Sequence, residues 1–425
     1  MNKIRYAVFP FVAIISIVSA YTYWHELYDN NYKHKVVVCV PVYGQSLALG
    51  EEAIRITDFD SLREKSEGRI LTERLDYEFG YFDYSDIRVF ARRVLHKHNK
   101  SYELSAYGMA ESLVSRLGED TVVCTFPGGQ GLTDIRCMSK GTIPYYRFMR
   151  NIVRAYKEAK RRGWDFYVPA ICWMQGESDI ADYPDTDYKS LLKQFSVDIN
   201  ADIRNLTNQS CDVKIVCYQT NTLTKGFRYT SNNYDGSEII PPSSQMELVR
   251  GDSSFWASGP TYPYSFVNEN LHIDAVSQKR HGYLAAESVL GVIHNENRQR
   301  GVVPMSANVR GDSIIVAMNV PSPPLVIDTS LVAEAPHYGF SVINKNNVDV
   351  ISGVSLKGDS IVIICSERPD GCKLRYGDNG EFMRSGNRIG PRGNLRDSHG
   401  DSHTVMIMDK IYPLHHWCYM FEIKI

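Results

Sequence analysis

Val36-Val37-Val38-Cys39-Val40 and, three residues on, Tyr43-Gly44-Gln45-Ser46-Leu47 decide how this chain is read. The first is a continuous apolar run, the pattern of a strand covered on both faces of a parallel sheet. The second follows the strand end and carries a serine hydroxyl with a glycine beside it, which admits a ligand close to the backbone. Working outward, the pattern alternates between helix and strand up to about residue 295. Residues 107–117 place Ala110, Leu113, Val114 and Leu117 at helical spacing, and a strand follows over 121–126. Pro144 opens a long helix that Gly163 closes. A strand over 166–173, a helix over 188–203, a strand over 213–218 and a last helix from Ala275 to about Leu290 complete the series. Units in this order predict an α/β fold, a right-handed, doubly wound parallel sheet with its site at the carboxyl ends of the strands.

That rule gives meaning to two further stretches, Pro127-Gly128-Gly129-Gln130-Gly131 and Trp173-Met174-Gln175-Gly176-Glu177-Ser178-Asp179. Both lie just past predicted strand ends, so they are expected on the same rim as Ser46. Three glycines in five residues suit a backbone N–H presented closely to a ligand, although a tight turn alone would also explain them. The second stretch crowds Gln175, Glu177, Ser178 and Asp179 at a strand exit. Ser178 or Asp179 could simply cap the next helix. The side-chain amide of Gln175 is expected to aim at an oxyanion or at the Ser46 loop, and Glu177 to brace the loop.

A serine hydroxyl is a weak nucleophile at neutral pH and needs a base and oxyanion donors. Gly44-Gln45-Ser46 alone could be an ordinary polar loop; the company it keeps points to acyl transfer. The base expected is His272, on the loop before the last helix, with Glu269 in Glu269-Asn270-Leu271-His272 as the carboxylate that orients it. Asp274 is a second candidate acid. His281 is a second candidate base, weakened by its place inside a predicted helix.

With 425 residues the chain exceeds one ordinary core, and two domains are expected. Hydrophobic residues at 43% and charged residues at 23% describe a folded chain without multiple membrane spans. A net charge of −2 argues against a nucleic-acid partner, which would need a basic footprint. At the N-terminus, Lys3 and Arg5 precede an apolar run from Tyr6 to Ala20, and Val18-Ser19-Ala20 has the small residues of a cleavage site. Residues 1–20 therefore read as a signal peptide; Tyr21 to Trp24 prolong the run, so an uncleaved anchor tethering the chain to a membrane is the competing reading. Either reading places the rest of the chain outside the cytoplasm, secreted, periplasmic or anchored facing outward. Cleavage would leave 45 basic against 49 acidic residues, a net charge of −4.

Of the nine cysteines, Cys39, Cys172 and Cys217 sit in predicted buried strands as small hydrophobes. Cys365 and Cys372, flanking the turn at 367–371, are the pair expected to bridge. No C-x-x-C spacing occurs.

After about residue 300, short β-stretches alternate with Gly, Asp and Asn turns, predicting a C-terminal all-β, sandwich-like domain over 300–425. Its strands are expected over 313–320, 348–354, 360–365, 404–408 and 419–425. An internal echo, residues 309–316 against 356–363, reads as two hairpins turning at Gly311-Asp312 and Gly358-Asp359. Arg310-Gly311-Asp312 needs no adhesive role once it is a turn. The loop with Asp397, His399, Asp401 and His403 could hold a metal but reads more simply as solvated. Trp417 and Tyr419 could stack on sugar rings, with core packing the simpler assignment.

On these motifs residues 34–295 resemble the SGNH-hydrolase superfamily, in particular its sialate O-acetylesterase-like branch of carbohydrate esterases, with a flavodoxin-like α/β fold. There a G-Q-S block holds the nucleophile, a G-G block and a W-x-Q-G-E-x-D block build the oxyanion site, and a D-x-x-H block supplies acid and base. The resemblance implies Ser46 as nucleophile, His272 as base, Gly128, Gly129 and Gln175 as oxyanion groups, and Gln45, Gly176, Glu177 and Asp179 in support. Glu269 departs from the family's aspartate, which leaves open a dyad of Ser46 and His272. A catalytically impaired glycan-binding protein and an esterase of longer acyl chains are the alternatives. The superfamily's G-D-S-L block makes Gly311-Asp312-Ser313-Ile314 and Gly358-Asp359-Ser360-Ile361 decoys, because neither is followed by a helix or a glycine block. The implied activity is removal of O-acetyl groups from an acetylated carbohydrate, with no metal and no cofactor.

Overall fold

The computed structural model describes residues 34–71, 102–182, 186–221, 240–297, 301–381 and 384–425. The apolar N-terminal run lies outside the described residues. Among those described, no helix is long and apolar enough to cross a membrane.

Among the described residues nine short strands build the parallel part: β1 (Val36–Cys39), β2 (Val42–Gly44), β3 (Ile70–Leu71), β4 (Thr121–Cys124), β5 (Pro127–Gly129), β6 (Asp165–Tyr167), β7 (Ala170–Met174), β8 (Lys214–Gln219) and β9 (Phe255–Pro260). They form two ladders, ordered β3-β4-β1-β6 and β5-β2-β7-β8-β9, with every pairing parallel. Backbone bonds from Val40 to Cys124, Val42 to Phe126 and Cys172 to Pro41 carry one ladder into the other. The strand expected over 166–173 is thus broken, its register interrupted just before Pro169, whose nitrogen cannot donate to a ladder.

Apolar residues of β1 and β8 alternate between two cores. Val37, Cys39, Ile215 and Cys217 join one buried cluster; Val38, Val40, Val216 and Tyr218 join the other. A strand with both faces covered has no polar face to show, which is why these runs are continuously apolar. On the first face Tyr43 stacks on Phe148 at 4.3 Å and on Phe195 at 5.4 Å between ring centroids. Each such pair adds about 0.5–1.5 kcal/mol beyond its area burial.

Helix Ile143–Arg161 starts where expected, with the Thr142 hydroxyl accepting from the Tyr145 N–H and Pro144 in the first turn. Helices Ser105–Arg116 and Ala275–Ile293 cover the second face and touch backbone to backbone. A Cβ on Gly282 would stand 2.0 Å from the Ser105 carbonyl oxygen, so only glycine permits that approach. Helix Ile240–Gly251 and strand β9 were not expected from the sequence. Pro241 and Pro242 look like helix breakers but sit in the first helical turn, where proline is tolerated, and Gly259 and Pro260 mask the β character of β9.

The C-terminal region is antiparallel. Strands Val303–Arg310, Ser313–Asn319, Ser360–Cys365 and Ile351–Lys357 form one sheet, and Phe340–Ile343, Lys373–Tyr376 and Phe421–Lys424 a second. Arg310 pairs with Ser313 and Lys357 with Ser360, so both echoed segments are hairpins with two-residue Gly-Asp loops. Gly311 and Gly358 adopt φ of +62° and +59° there, the left-handed region that such loops require.

Several expectations are corrected in this region. Cys365 and Cys372 are both buried but are free thiols. The strand expected over 348–354 lies at Ile351–Lys357. Asp397 is fully buried rather than solvated. Trp417 and Tyr419 are core residues, and the Tyr419 hydroxyl donates to the Cys217 carbonyl at 3.1 Å, so neither presents a ring for stacking. Inward residues of both antiparallel sheets, among them Ile314, Ile363, Leu374 and Phe421, belong to the same buried cluster as Tyr43 and Trp173.

Candidate active site

Gly44 ends β2 opposite Gly129 of β5 on one side and Met174 of β7 on the other. A Cβ on Gly44 would stand 1.9 Å from the Met174 oxygen, and one on Gly129, at φ +114°, 1.8 Å from the Gly44 oxygen. The glycines therefore let three strand ends close together beneath Ser46. Beyond it the backbone coils tightly, with the Leu49 and Glu51 N–H groups both donating to the Ser46 carbonyl. Gly50 and Glu52 take φ of +66° and +65°, which turns the chain back toward Ser46.

This coil brings in a carboxylate that the sequence reading missed. Ser46 Oγ lies 2.8 Å from His272 Nε2, and His272 Nδ1 lies 2.9 Å from Glu52 Oε2. Ser46 and His272 are buried, whereas Glu52 is half-exposed. Hydroxyl, imidazole and carboxylate thus form one chain of contacts, the third group orienting the second.

Glu269, expected in that third position, does not hold it. It sits in a turn over Val267–Glu269 at φ +54°, its carbonyl accepts from the Ser385 N–H at 3.0 Å, and among the described residues no bond joins its carboxylate to His272. Asp274 caps helix Ala275–Ile293 by accepting from the Ser277 N–H at 2.8 Å. His281 is fully buried between the Ser105 and Ser258 hydroxyls, and burial pushes its pKa down to about 4.

The loop of Gln175 to Asp179 lies beside Ser46, tied to it by Gln45, whose Oε1 accepts from the Gly176 N–H at 3.4 Å and the Ser178 N–H at 3.3 Å. Gln175 does not act here as the expected free donor. Its Nε2 donates to the Thr133 carbonyl at 3.1 Å and to Asp179 Oδ2 at 2.5 Å, which uses both N–H bonds of the amide. The Ser46 N–H, by contrast, makes no hydrogen bond among the described residues.

The rest of the loop is a buried polar network. The Tyr218 hydroxyl donates to Glu177, the Tyr188 hydroxyl to the Gln175 carbonyl, and Gln245 bonds both the Gln175 carbonyl and the Thr220 N–H. Burial raises the carboxyl pKa of Glu177, with bonds from Tyr218 and Thr220 pulling it back. Asp179 is lifted by burial to about 7, against the Gln175 hydrogen bond. Next to Glu52, burial also raises the Glu51 carboxyl; the His272 charge opposes this and Glu52 adds to it.

Gln278 locks the coil to the helices. Its Nε2 donates to the Leu47 carbonyl at 2.8 Å while its Oε1 accepts from the Ser105 N–H at 3.1 Å. The His272 loop is held from the other side, where Ser385 bonds Glu269 and the Asn387 N–H donates to the Tyr264 carbonyl at 3.1 Å. The C-terminal region thereby braces the segment that carries the histidine.

No family model matches the sequence, and no curated protein does. Among solved structures, a carbohydrate acetylesterase from Xanthomonas citri shares the fold, with a TM-score of 0.56 at 12% identity over 92% of this chain and 80% of that one. NanS (TM-score 0.39, 11% identity, 62% of this chain and 98% of that one) and a carbohydrate acetylesterase from Sinorhizobium meliloti (0.31, 10%, 61% and 99%) resemble it more loosely. At such identities the likeness is one of fold: parallel sheet with helices, followed by antiparallel sheets.

Proposed function

We propose that this chain is a serine esterase that removes O-acetyl groups from a carbohydrate, in the manner of a sialate O-acetylesterase. The observation that carries the proposal is the contact chain from Ser46 Oγ through His272 to Glu52. In this mechanism His272 Nε2 takes the Ser46 proton as Oγ bonds the acetyl carbonyl carbon. Negative charge then develops on the carbonyl oxygen, and the unengaged Ser46 N–H with the N–H of Gly128 or Gly129 stabilises it. The C–O bond to the sugar breaks, and the proton on His272 goes to the departing sugar oxygen. Water next gives a proton to His272 and its oxygen to the acetyl carbon; Ser46 leaves with the proton and acetate is released. Glu52 keeps the Nδ1 proton in place and stabilises the transient imidazolium.

In this scheme Gln175 positions rather than donates, holding Asp179 and the Thr133 backbone beside the nucleophile. A serine only 1% exposed, between glycines, suits a small acyl group better than a long chain. The carbohydrate half of the proposal is supported by the motif resemblance and by the fold shared with the Xanthomonas acetylesterase. The alternative of a catalytically impaired binder rests on the departure of Glu269 from the family pattern; the Glu52 carboxylate beside His272 Nδ1 supports the esterase reading instead. Ser46→Ala should abolish hydrolysis of an aryl acetate and labelling by a fluorophosphonate while leaving the melting temperature near wild type. Retained turnover in the folded variant would refute the assignment. Acetate release from a panel of acetylated sialic acid, xylan and peptidoglycan then identifies the sugar.

A further inference from the structure

Away from Ser46, three metal-ligating side chains from separate parts of the chain converge. Glu287 projects from helix Ala275–Ile293, His399 begins a turn in the C-terminal region, and His416 precedes the buried Trp417. One ligand atom from each lies within 4.8 Å of the others. Glu287 Oε2 stands 2.9 Å from His399 Nε2 and 3.6 Å from His416 Nε2. The two imidazoles stack with centroids 4.6 Å apart and planes at 28°, so both turn an Nε2 to the same carboxylate.

The outer contacts fix this arrangement. Asp397, fully buried, lies 2.7 Å from His416 Nδ1 through Oδ2, and its Oδ1 accepts the backbone N–H groups of His399 at 3.1 Å and His416 at 2.9 Å. In the neutral imidazole a carboxylate on Nδ1 holds the proton there and leaves the Nε2 lone pair facing Glu287, the arrangement found behind metal-bound histidines. Ser322 Oγ stands 3.4 Å from His399 Nδ1 in the corresponding place.

A second observation points to a ligand. Among the described residues the buried atoms Glu287 Oε1 and His399 Nε2 have no hydrogen-bond partner, although His399 Nε2 lies 2.9 Å from Oε2. Arg116 Nη2 makes an ion pair with Oε1 at 3.7 Å, beyond hydrogen-bonding distance. Buried polar atoms left this way are costly, and a cation between them would satisfy both.

We propose that Glu287, His399 and His416 bind a divalent transition metal of the zinc class. Two imidazole nitrogens and one carboxylate oxygen make a borderline donor set that suits zinc, with a fourth position for water. The bound ion joins the last helix of the parallel-sheet region to the C-terminal region, which carries the bracing contacts on the His272 loop. This site is independent of the esterase reading. The competing account is a plain ion pair between protonated His416 and its two carboxylates.

The test uses the full chain, stripped with a chelator and titrated with Zn²⁺ in competition with a chromophoric chelator, alongside melting curves. One equivalent of zinc should bind and raise the melting temperature. Glu287→Gln and His399→Gln should abolish stoichiometric binding and that rise. Asp397→Asn should weaken binding by about 10- to 100-fold, as loss of an outer carboxylate does elsewhere. Wild-type affinity in His399→Gln, or no zinc bound by the wild type, overturns the proposal in favour of the ion pair. Should the variants fold poorly, Co²⁺ added to the stripped wild type decides: visible absorption of a tetrahedral site is expected, and its absence at one equivalent refutes the site.

Discussion

Replacing Glu52 by Gln isolates the carboxylate that the fold puts behind the histidine. The amide keeps the shape and leaves the backbone at φ +65° undisturbed, but it removes the charge 2.9 Å from His272 Nδ1. In the proposed mechanism that charge matters when His272 becomes an imidazolium during attack by Ser46. Two charges with centres about 4 Å apart attract by about 1 kcal/mol in water and about 4 kcal/mol at an effective dielectric near 20. The Glu52 side chain is 51% exposed, which puts the loss between these limits. About 2 kcal/mol corresponds to a fall of about 30-fold in kcat/KM. A buried triad aspartate loses about 10⁴-fold in kcat on conversion to the amide, so the smaller effect follows from exposure. The assay is kcat/KM on an aryl acetate for Glu52→Gln, Glu269→Gln and Glu51→Gln side by side. A drop of less than about 2-fold in Glu52→Gln, together with a large drop in Glu269→Gln, would refute the assignment of the acid.

Two further outcomes concern the shell around the site. Gln278→Leu leaves the Leu47 carbonyl and the Ser105 N–H without their buried partner. At about 1–3 kcal/mol for each unsatisfied group, it should lower the melting temperature and, by loosening the Ser46 coil, kcat more than KM; unchanged kcat in a destabilised protein would show that the lock is only structural. Burial lifts Asp179 from 3.8 to about 7, so the folded protein holds the extra proton between those values and stability falls as pH rises from about 4 to about 7. Asp179→Asn cannot ionise and should reduce the fall of melting temperature with pH in that window; a residual slope remains, with Asp378, which burial lifts to about 6, and the raised carboxyls of Glu177 and Glu51 contributing the same sign and His281, pushed down to about 4, the opposite one. A variant with the full wild-type slope would acquit Asp179.

The parallel-sheet region was legible where local pattern and global burial agree. The run at Val36–Cys39 is apolar because both faces of β1 meet a core, and Thr142-Ile143-Pro144 is a helix start whatever packs on it. Helix Ile240–Gly251 and strand β9 were not legible because prolines and a glycine stand in them at positions harmless to the fold. The hairpins at Gly311 and Gly358 were readable because a two-residue loop depends on local φ alone. The Cys365–Cys372 bridge was inferred from proximity around a turn, and proximity does not supply the orientation a disulfide needs.

At the site, residue type and strand position pointed to Ser46 and His272, which the fold brings within 2.8 Å of each other, but not to Glu52 as the carboxylate beside the imidazole. Glu269 precedes His272 by three residues, and a local motif invites pairing them; yet the turn at Asn268 and Glu269, both with positive φ, hands the Glu269 carbonyl to Ser385. Glu52 lies 220 residues before His272 and reaches it because the coil after Ser46 reverses through Gly50 and Glu52 itself. The one sequence sign was Gly50-Glu51-Glu52, a glycine and two acids within six residues of Ser46. The Gln175 misassignment has the same origin, since a strand-end amide reads as a donor until its neighbours are known. Asp179, four residues on, claims one of its hydrogens and the Thr133 carbonyl the other. Sequence position locates a side chain on the rim of a sheet, whereas the direction of its polar atoms depends on partners that the chain brings in from elsewhere.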